Sequence, residues 1–306
     1  MNIYPLIKTQ PPPGTGRLLL WIWLKIMAVF MALAFVLVIR VPGQIRGYIY
    51  NIFREAARAQ VMISTRHMLT LSDDHFVVRY YPGDADGALL VLKTAREFYP
   101  LVSRDFRFSS KKKIPLVVHP TRESLNASFG WPASESAMGV YWAGVIRVLS
   151  PNAWIDARDP RQVEEVFVAS GPVAHELTHL VVDYITRGNV PRWFTEGVAQ
   201  YEEYRLTGFR FARTGDFAGQ PLYDFAEMER GFERLPNQTL AYWQSLAAVE
   251  YLVEVYGEES LHKILAALGQ GRDMDGALQQ VAGQDLDQFA AGLGSWLGQK
   301  RDGRSN

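Results

Sequence analysis

The sequence predicts an α+β domain: a small mixed sheet with one helix in its first part, then a mainly helical half, the whole preceded by one transmembrane helix. Three observations carry this. Short β-branched and aromatic runs lie between residues 75 and 150, helical periodicity dominates after residue 160, and residues 18–39 form one apolar run. Strands that come first and helices that follow, rather than strict alternation, make the α+β pattern.

Residues 1–17 (MNIYPLIKTQPPPGTGR) are a polar tail in which Pro11 to Pro13, Gly14 and Gly16 oppose regular structure. Residues 18–39 (LLLWIWLKIMAVFMALAFVLVI) contain Lys25 as their only charge. Twenty-two residues at a helical rise span roughly 33 Å, enough for a hydrocarbon core of about 30 Å. Ala32-Leu33-Ala34 has the small-x-small form of a signal cleavage site, but the run continues to Ile39, which favours an uncleaved signal-anchor. Trp21 and Trp23 suit an interfacial aromatic belt. The expectation is a single-pass cell-membrane protein, with the lipid bilayer as partner of residues 18–39. Orientation is less direct. Lys8 and Arg17 precede the run, and Arg40, Arg46, Arg54 and Arg58 follow it against Glu55. These counts lean toward an inside C-terminal flank, yet a long domain translocates largely regardless of them. An extracytoplasmic domain is the expectation.

Residues 40–74 form a juxtamembrane segment. Ile49, Ile52, Phe53, Ala56 and Ile63 recur at helical spacing with Arg54 and Arg58 on another face, which fits a helix on the membrane surface or a linker helix packed on the domain. The domain proper is expected over 75–301. His75 to Tyr81 reads as a strand, and Asp84 to Asp105 as a helix with Leu89, Leu92, Ala95 and Phe98 on its apolar side. Ile114 to His119 is a second strand. Met138 to Ser150 is a hairpin or one long strand, with Ala143-Gly144 as the turn, and the stretch Val145 to Leu149 could offer its edge to an extended peptide. Gly257 and Gly269 stand where the C-caps of helices over Val249–Tyr256 and Leu261–Leu268 belong.

Composition bounds the chemistry. With 32 Lys plus Arg against 32 Asp plus Glu, nothing supports nucleic-acid binding, which shows as a basic excess. Cysteine is absent, so thiolate nucleophiles, thiolate metal sites and disulfides are excluded. A tightly held transition metal must use His, Asp or Glu.

The segment Pro172 to Tyr184 (PVAHELTHLVVDY) is the informative one. On a helix that begins near Pro172, His175 and His179 project from one face about 6 Å apart, where both can reach one Zn²⁺. Glu176 lies rotated by about 100° from His175, beside the metal without binding it, placed to accept a proton from the attacking water. A third ligand is best sought in Trp193 to Glu203. The turn Arg187 to Arg192 (RGNVPR) lets a second helix present Glu196, and Gly197 permits close helix approach. Asp183, four residues beyond His179, is placed to accept an imidazole N–H; Gln200 and Glu203, one and two turns beyond Glu196, could orient a ligand histidine. Two histidines satisfied on an ordinary helix, or a zinc site without turnover, are the blander readings. Val182 and Ile185 break the metzincin pattern.

HELTH at 175–179, PRWFTEGVAQYEE at 191–203 and AYWQSLAAVEYLVEVYG at 241–257 make residues 75–300 resemble the peptidase MA-like domain family of gluzincins. Thermolysin and the membrane alanyl aminopeptidases share this helix-turn-helix arrangement, with longer spacing before the glutamate. The resemblance implies an α+β metallopeptidase fold, a Zn²⁺ cofactor on His175, His179 and Glu196, Glu176 as general base, and a peptide or protein substrate. Tyr242 resembles the tyrosine of related domains and is the expected oxyanion donor. The aminopeptidase GxMEN signature is missing, so exopeptidase action is not implied. The rival from another class is a membrane-tethered binding or assembly module that keeps the fold without turnover, and the intact Glu176 speaks against it.

Overall fold

The computed structural model describes residues 25 and 43–302, apart from 133–135, 213–216 and 218. The apolar run 18–39, apart from helical Lys25, and the tail 1–17 lie outside these residues. No helix among the described residues is long and apolar enough to cross a membrane.

Helix α1 spans Gly43–Ser64. Strands β1 (Leu69–Ser72) and β2 (Phe76–Tyr80) follow, then helix α2 (Ala85–Asp105), β3 (Ile114–His119), the short α3 (Arg122–Ala127), and β4 (Gly139–Trp142) with β5 (Val145–Leu149). The strands form one five-stranded mixed sheet in the order β1-β2-β3-β5-β4. β2, β3 and β5 are parallel, and each outer strand runs antiparallel to its neighbour. Every residue of β3 and β5 is buried, as interior strands covered on both faces require. One face packs Val78, Leu116 and Ile146 against α2; on the other, Val117 and Val145 meet Val61 of α1.

The hairpin is the reading of 138–150 that the fold adopts. Ala143 and Gly144 both have positive φ, 46° and 83°, the turn whose twist matches the flanking strands. Because β5 lies between β3 and β4, the free edge expected at Val145–Leu149 belongs instead to β4. β1 has no counterpart in the sequence reading: its burial is nearly uniform and low, so no alternation marks it. Leu89 is 57% exposed; the buried face of α2 is carried by Ala88, Val91, Leu92, Ala95 and Phe98, rotated from the expected one.

The helical half contains α4 (Pro160–Ser170), α5 (Val173–Thr186), α6 (Arg192–Thr207), α7 (Phe225–Gly231), α8 (Gln238–Tyr256), α9 (Glu258–Gly269), α10 (Met274–Ala282) and α11 (Leu286–Asp302). Gly257 caps α8 as expected, with φ 81°. Gly269 does not cap: it is the last residue of α9, and a Cβ there would stand 2.3 Å from the Ile185 carbonyl oxygen. A close helix crossing, not a left-handed turn, demands that glycine. Gly197 serves the same end between α6 and α8, since its Cβ would meet the Ser245 carbonyl oxygen at 2.2 Å.

Glu202 of α6 is fully buried at the Asp105 end of α2, with Arg205 Nη1 3.2 Å away. Burial pushes its carboxyl up to about 7; Arg205 opposes the rise and Asp105 adds to it. The folded chain therefore holds a proton there that the unfolded chain releases near pH 4.5, so stability falls as pH rises from that value through 7. Glu202→Gln removes this slope. Thermal unfolding should show the variant gaining on the wild type by up to about 3 kcal/mol at pH 8 and little or nothing at pH 4. Parallel stability–pH curves for the two proteins would contradict the assignment.

Candidate metal centre

Helix α5 starts where Pro172, at its N-cap, accepts the Glu176 amide at 2.9 Å, and ends where Arg187 turns left-handed at φ 57°. Its apolar residues Leu177, Leu180 and Val181 sink into the core, which turns His175 and His179 toward α6. Pro191 then starts α6, which carries Arg192 at its first position and Glu196 one turn further on. The turn between the helices thus brings His175, His179 and Glu196 together, with one ligand atom from each lying within 4.8 Å of the others.

The edges of this triangle are short. The two Nε2 atoms are 3.0 Å apart, His175 Nε2 is 3.4 Å from Glu196 Oε2, and His179 Nε2 is 3.5 Å from Glu196 Oε1. Ligands at about 2.0–2.2 Å from a tetrahedral Zn²⁺ stand about 3.3–3.6 Å from one another. The two histidine–glutamate separations, one to each carboxylate oxygen, fall in this range, and the histidine–histidine separation is slightly tight. Both Glu196 oxygens are buried without a hydrogen bond. Arg192 Nη2 approaches Oε1 to 2.8 Å as an ion pair outside hydrogen-bond geometry. A buried carboxylate with no hydrogen bond to either oxygen, and two imidazole nitrogens that converge on the same point, fit a cation.

Electrostatics agrees. Burial alone would push the Glu196 carboxyl up, but His179 and Arg192 outweigh it and hold the group well below the usual carboxylate range. At His175 burial would depress the imidazole; Glu203 and Glu196 reverse that and raise it well above its ordinary value. The pocket favours positive charge at this spot.

The far nitrogens of the imidazoles are fixed by α6. His175 Nδ1 lies 3.1 Å from Glu203 Oε2, and His179 Nδ1 lies 2.8 Å from Thr195 Oγ1. Glu203 is where the sequence reading put it; Thr195 escaped notice because a lone threonine beside a candidate ligand carries no pattern. Gln200 does not touch a histidine. Its Nε2 donates to the Glu196 and Tyr242 carbonyl oxygens and ties α6 to α8. Asp183 also takes another place: it accepts from Tyr50 Oη at 2.7 Å, Tyr141 Oη at 2.5 Å and Arg54 Nη1 at 2.9 Å. It faces α1 and β4 because both imidazole Nδ1 atoms are already engaged.

Glu176 is buried on the adjacent face, and burial raises its carboxyl above the ordinary value, with the two histidines opposing. Its Oε2 accepts the Tyr141 main-chain N–H at 2.5 Å, from the edge of β4 that faces away from β5. Gly139 allows this approach, for a Cβ there would lie 2.5 Å from Pro172 Cβ and 2.9 Å from Glu176 Cγ. Tyr242 is partly buried beside Arg192 and Glu196, and burial keeps its phenol protonated well above neutral pH. Arg192, like Thr195, was missed: it precedes Glu196 by one turn, a spacing common on any helix surface.

An α+β domain with two histidines of one helix and a glutamate of the next brought to a point defines the metallopeptidase-like class of folds. Within that class the chain belongs to the peptidase MA superfamily, whose family model matches residues 140–298. The match begins in β4 and covers the three converging residues and the helical half. Members of this superfamily are generally zinc-dependent. No curated protein matches the chain.

The full chain, purified in detergent, should carry about one Zn²⁺ per molecule, and chelation should lower its thermal midpoint reversibly, as expected for a ligand that binds only the folded state. His175→Ala with His179→Ala should abolish both effects. Elemental analysis that finds stoichiometric zinc in the double variant would remove these residues as ligands.

Proposed function

We propose that this chain is a membrane-anchored, zinc-dependent metallopeptidase that hydrolyses peptide bonds. The observation that carries the reading is the buried convergence of His175, His179 and Glu196 with a separate carboxylate, Glu176, beside it. A site that only held a metal would have no use for the second carboxylate. The superfamily membership supports hydrolysis of peptides, and the apolar run 18–39 supports the anchor.

Zn²⁺ on the three residues would supply a Lewis acid for the scissile carbonyl and acidify the attacking water. Glu176 takes the proton of that water and passes it to the leaving amine. A carboxyl raised by burial suits the first transfer, because it is a stronger base than an exposed glutamate. The Tyr141 N–H holds one oxygen of Glu176 and leaves the other for the proton. The outer edge of β4 has no strand neighbour among the described residues, so an extended peptide can pair with it beside the helix that bears the histidines, sharing or displacing the Tyr141 N–H now given to Glu176. The Tyr242 phenol, protonated and next to Arg192, is the donor for the developing oxyanion.

Glu176→Gln tests the enzyme reading. The amide keeps the shape of the side chain and the contact with Tyr141 but cannot carry the proton. Zinc content and folding should stay near wild type while peptide cleavage falls by about 10²–10⁴-fold. Tyr242→Phe should cost less, about 10–10³-fold, mainly in kcat. Cleavage by Glu176→Gln at the wild-type rate would end the mechanism. A wild type that retains zinc and binds a partner without cutting any member of a peptide library would make the chain a binding module.

A further inference from the structure

Helix α1 buries two charged side chains beside Ala57 and Val61 and leaves its larger apolar residues outside. The face turned to the domain buries Arg54 and Arg58, which are 5% and 9% exposed. Arg54 pairs with Asp183 at 2.9 Å and lies 3.6 Å over the ring of Tyr184; Arg58 donates to the Lys113 carbonyl and the Tyr184 hydroxyl. The outer face carries Ile45, Ile49, Ile52, Phe53 and Ile63, which are 47% to 73% exposed. Ile45, Ile49, Ile52 and Phe53 recur at intervals of three, four and seven, and Ile63, eleven residues beyond Ile52, returns to the same face, so they form one stripe along a helix about 33 Å long. Beside it, Trp142 of β4 is 45% exposed and meets Phe53 edge-on, with centroids 5.7 Å apart. Water is a poor solvent for such a face, and a contiguous exposed apolar stripe of this kind marks an interaction surface.

The chain outside the described residues says where this face lies. The apolar run ends at Ile39, and only Arg40, Val41 and Pro42 separate it from Gly43. An extended chain covers at most about 14 Å over those steps. If residues 18–39 cross a bilayer, the first turn of α1 starts at its surface. A helix that rose straight from the surface would leave its isoleucines in water, whereas one lying flat buries them at the headgroup boundary, where aromatic residues such as Tyr48 and Trp142 are also favoured.

We propose that α1 and Trp142 together form a lipid-docking surface, seated in the interface of the bilayer that anchors the chain. On the peptidase reading, it follows that the free edge of β4, whose Trp142 touches the lipid face and whose Tyr141 touches Glu176, receives peptide segments that lie at the membrane surface rather than free peptides.

The chain has no cysteine, so one can be introduced as a unique label in the full-length protein. Bimane on Ile52→Cys, in phosphatidylcholine–phosphatidylglycerol vesicles with brominated acyl chains, should lose more than about half of its emission, while the same label on Val255→Cys, an exposed position of α8, should keep it. An Ile52 label unquenched by bromolipid overturns the docking surface. Quenching by iodide would then show the face in water, and shielding from iodide would show it covered by a second copy or by residues 18–39. Given docking, wild-type protein should cleave a library peptide at least about tenfold faster when the peptide is lipid-tethered than when it is free, and Ile49→Asp with Ile52→Asp should remove that preference without lowering the rate on the free peptide. Equal rates overturn the substrate class alone. Bromolipid quenching with no peptide cleaved at all would leave the docking surface standing and end the peptidase reading instead.

Discussion

Glu196 sets the terms for the rest of the domain. Its side chain is 1% exposed, and a carboxylate taken that far from water costs several kcal/mol unless positive charge is supplied within reach. Arg192 supplies part of it from the rim. The remainder has to come from the point on which His175 and His179 also converge. Most buried polar clusters alternate donors and acceptors so that they satisfy one another. This one turns two imidazole nitrogens and a carboxylate to a common centre and arranges its hydrogen-bonding partners behind the imidazoles, Thr195 and Glu203 on the outward nitrogens. The geometry of α5, α6 and the turn between them is what keeps these groups from relaxing apart. Gly197 holds α6 against α8 at a distance no other residue permits, so Glu196 cannot withdraw toward solvent.

Strand β4 lies across the helix that carries both histidines, and one residue fixes it there at two heights. Tyr141 gives its main-chain N–H to Glu176 and its phenol to Asp183, two turns or about 10.5 Å further along α5. The hairpin turn is bound into the same joint, because the Gly144 N–H donates to the Tyr141 oxygen. Two attachments set the direction of the strand, where one would leave it free to pivot. The edge that a peptide would pair with is therefore held at a set angle to the carboxylate that would move the proton.

What could be read from the sequence follows from how far each signal reaches. The pattern HELTH and the EG pair carry their geometry within one helix each, since spacings of three and four residues on a helix leave no freedom. The turn between them needed only Gly188, Asn189 and Pro191 to be recognised. The strand at Ile114–His119 and the hairpin about Ala143-Gly144 were legible for the same local reason. Asp183 was misplaced because its four-residue offset from His179 looks identical whether its partners are imidazoles or the side chains of α1 and β4, 42 to 133 residues away. Gly269 was read as a cap because the Ile185 carbonyl that excludes a Cβ there is distant in sequence. The free sheet edge was assigned to β5 because strand order depends on the crossover through β3, which no single segment records.

The same long-range carboxylate explains why α1 is not a passive linker. Burying Arg54 adds little to stability, since desolvation of the pair offsets most of the attraction between them. What a buried pair does supply is register. Asp183 is reached by Tyr50 and Arg54, one turn apart on α1, and by Tyr141 from the opposite side. Sliding or rotating α1 by one residue would strand a guanidinium and a carboxylate in the interior, so the helix has one seat. Its outer face of isoleucines consequently points in one direction relative to β4 and to Glu176. Whatever surface meets that face is oriented toward the site by a single buried carboxylate on the helix that bears the histidines.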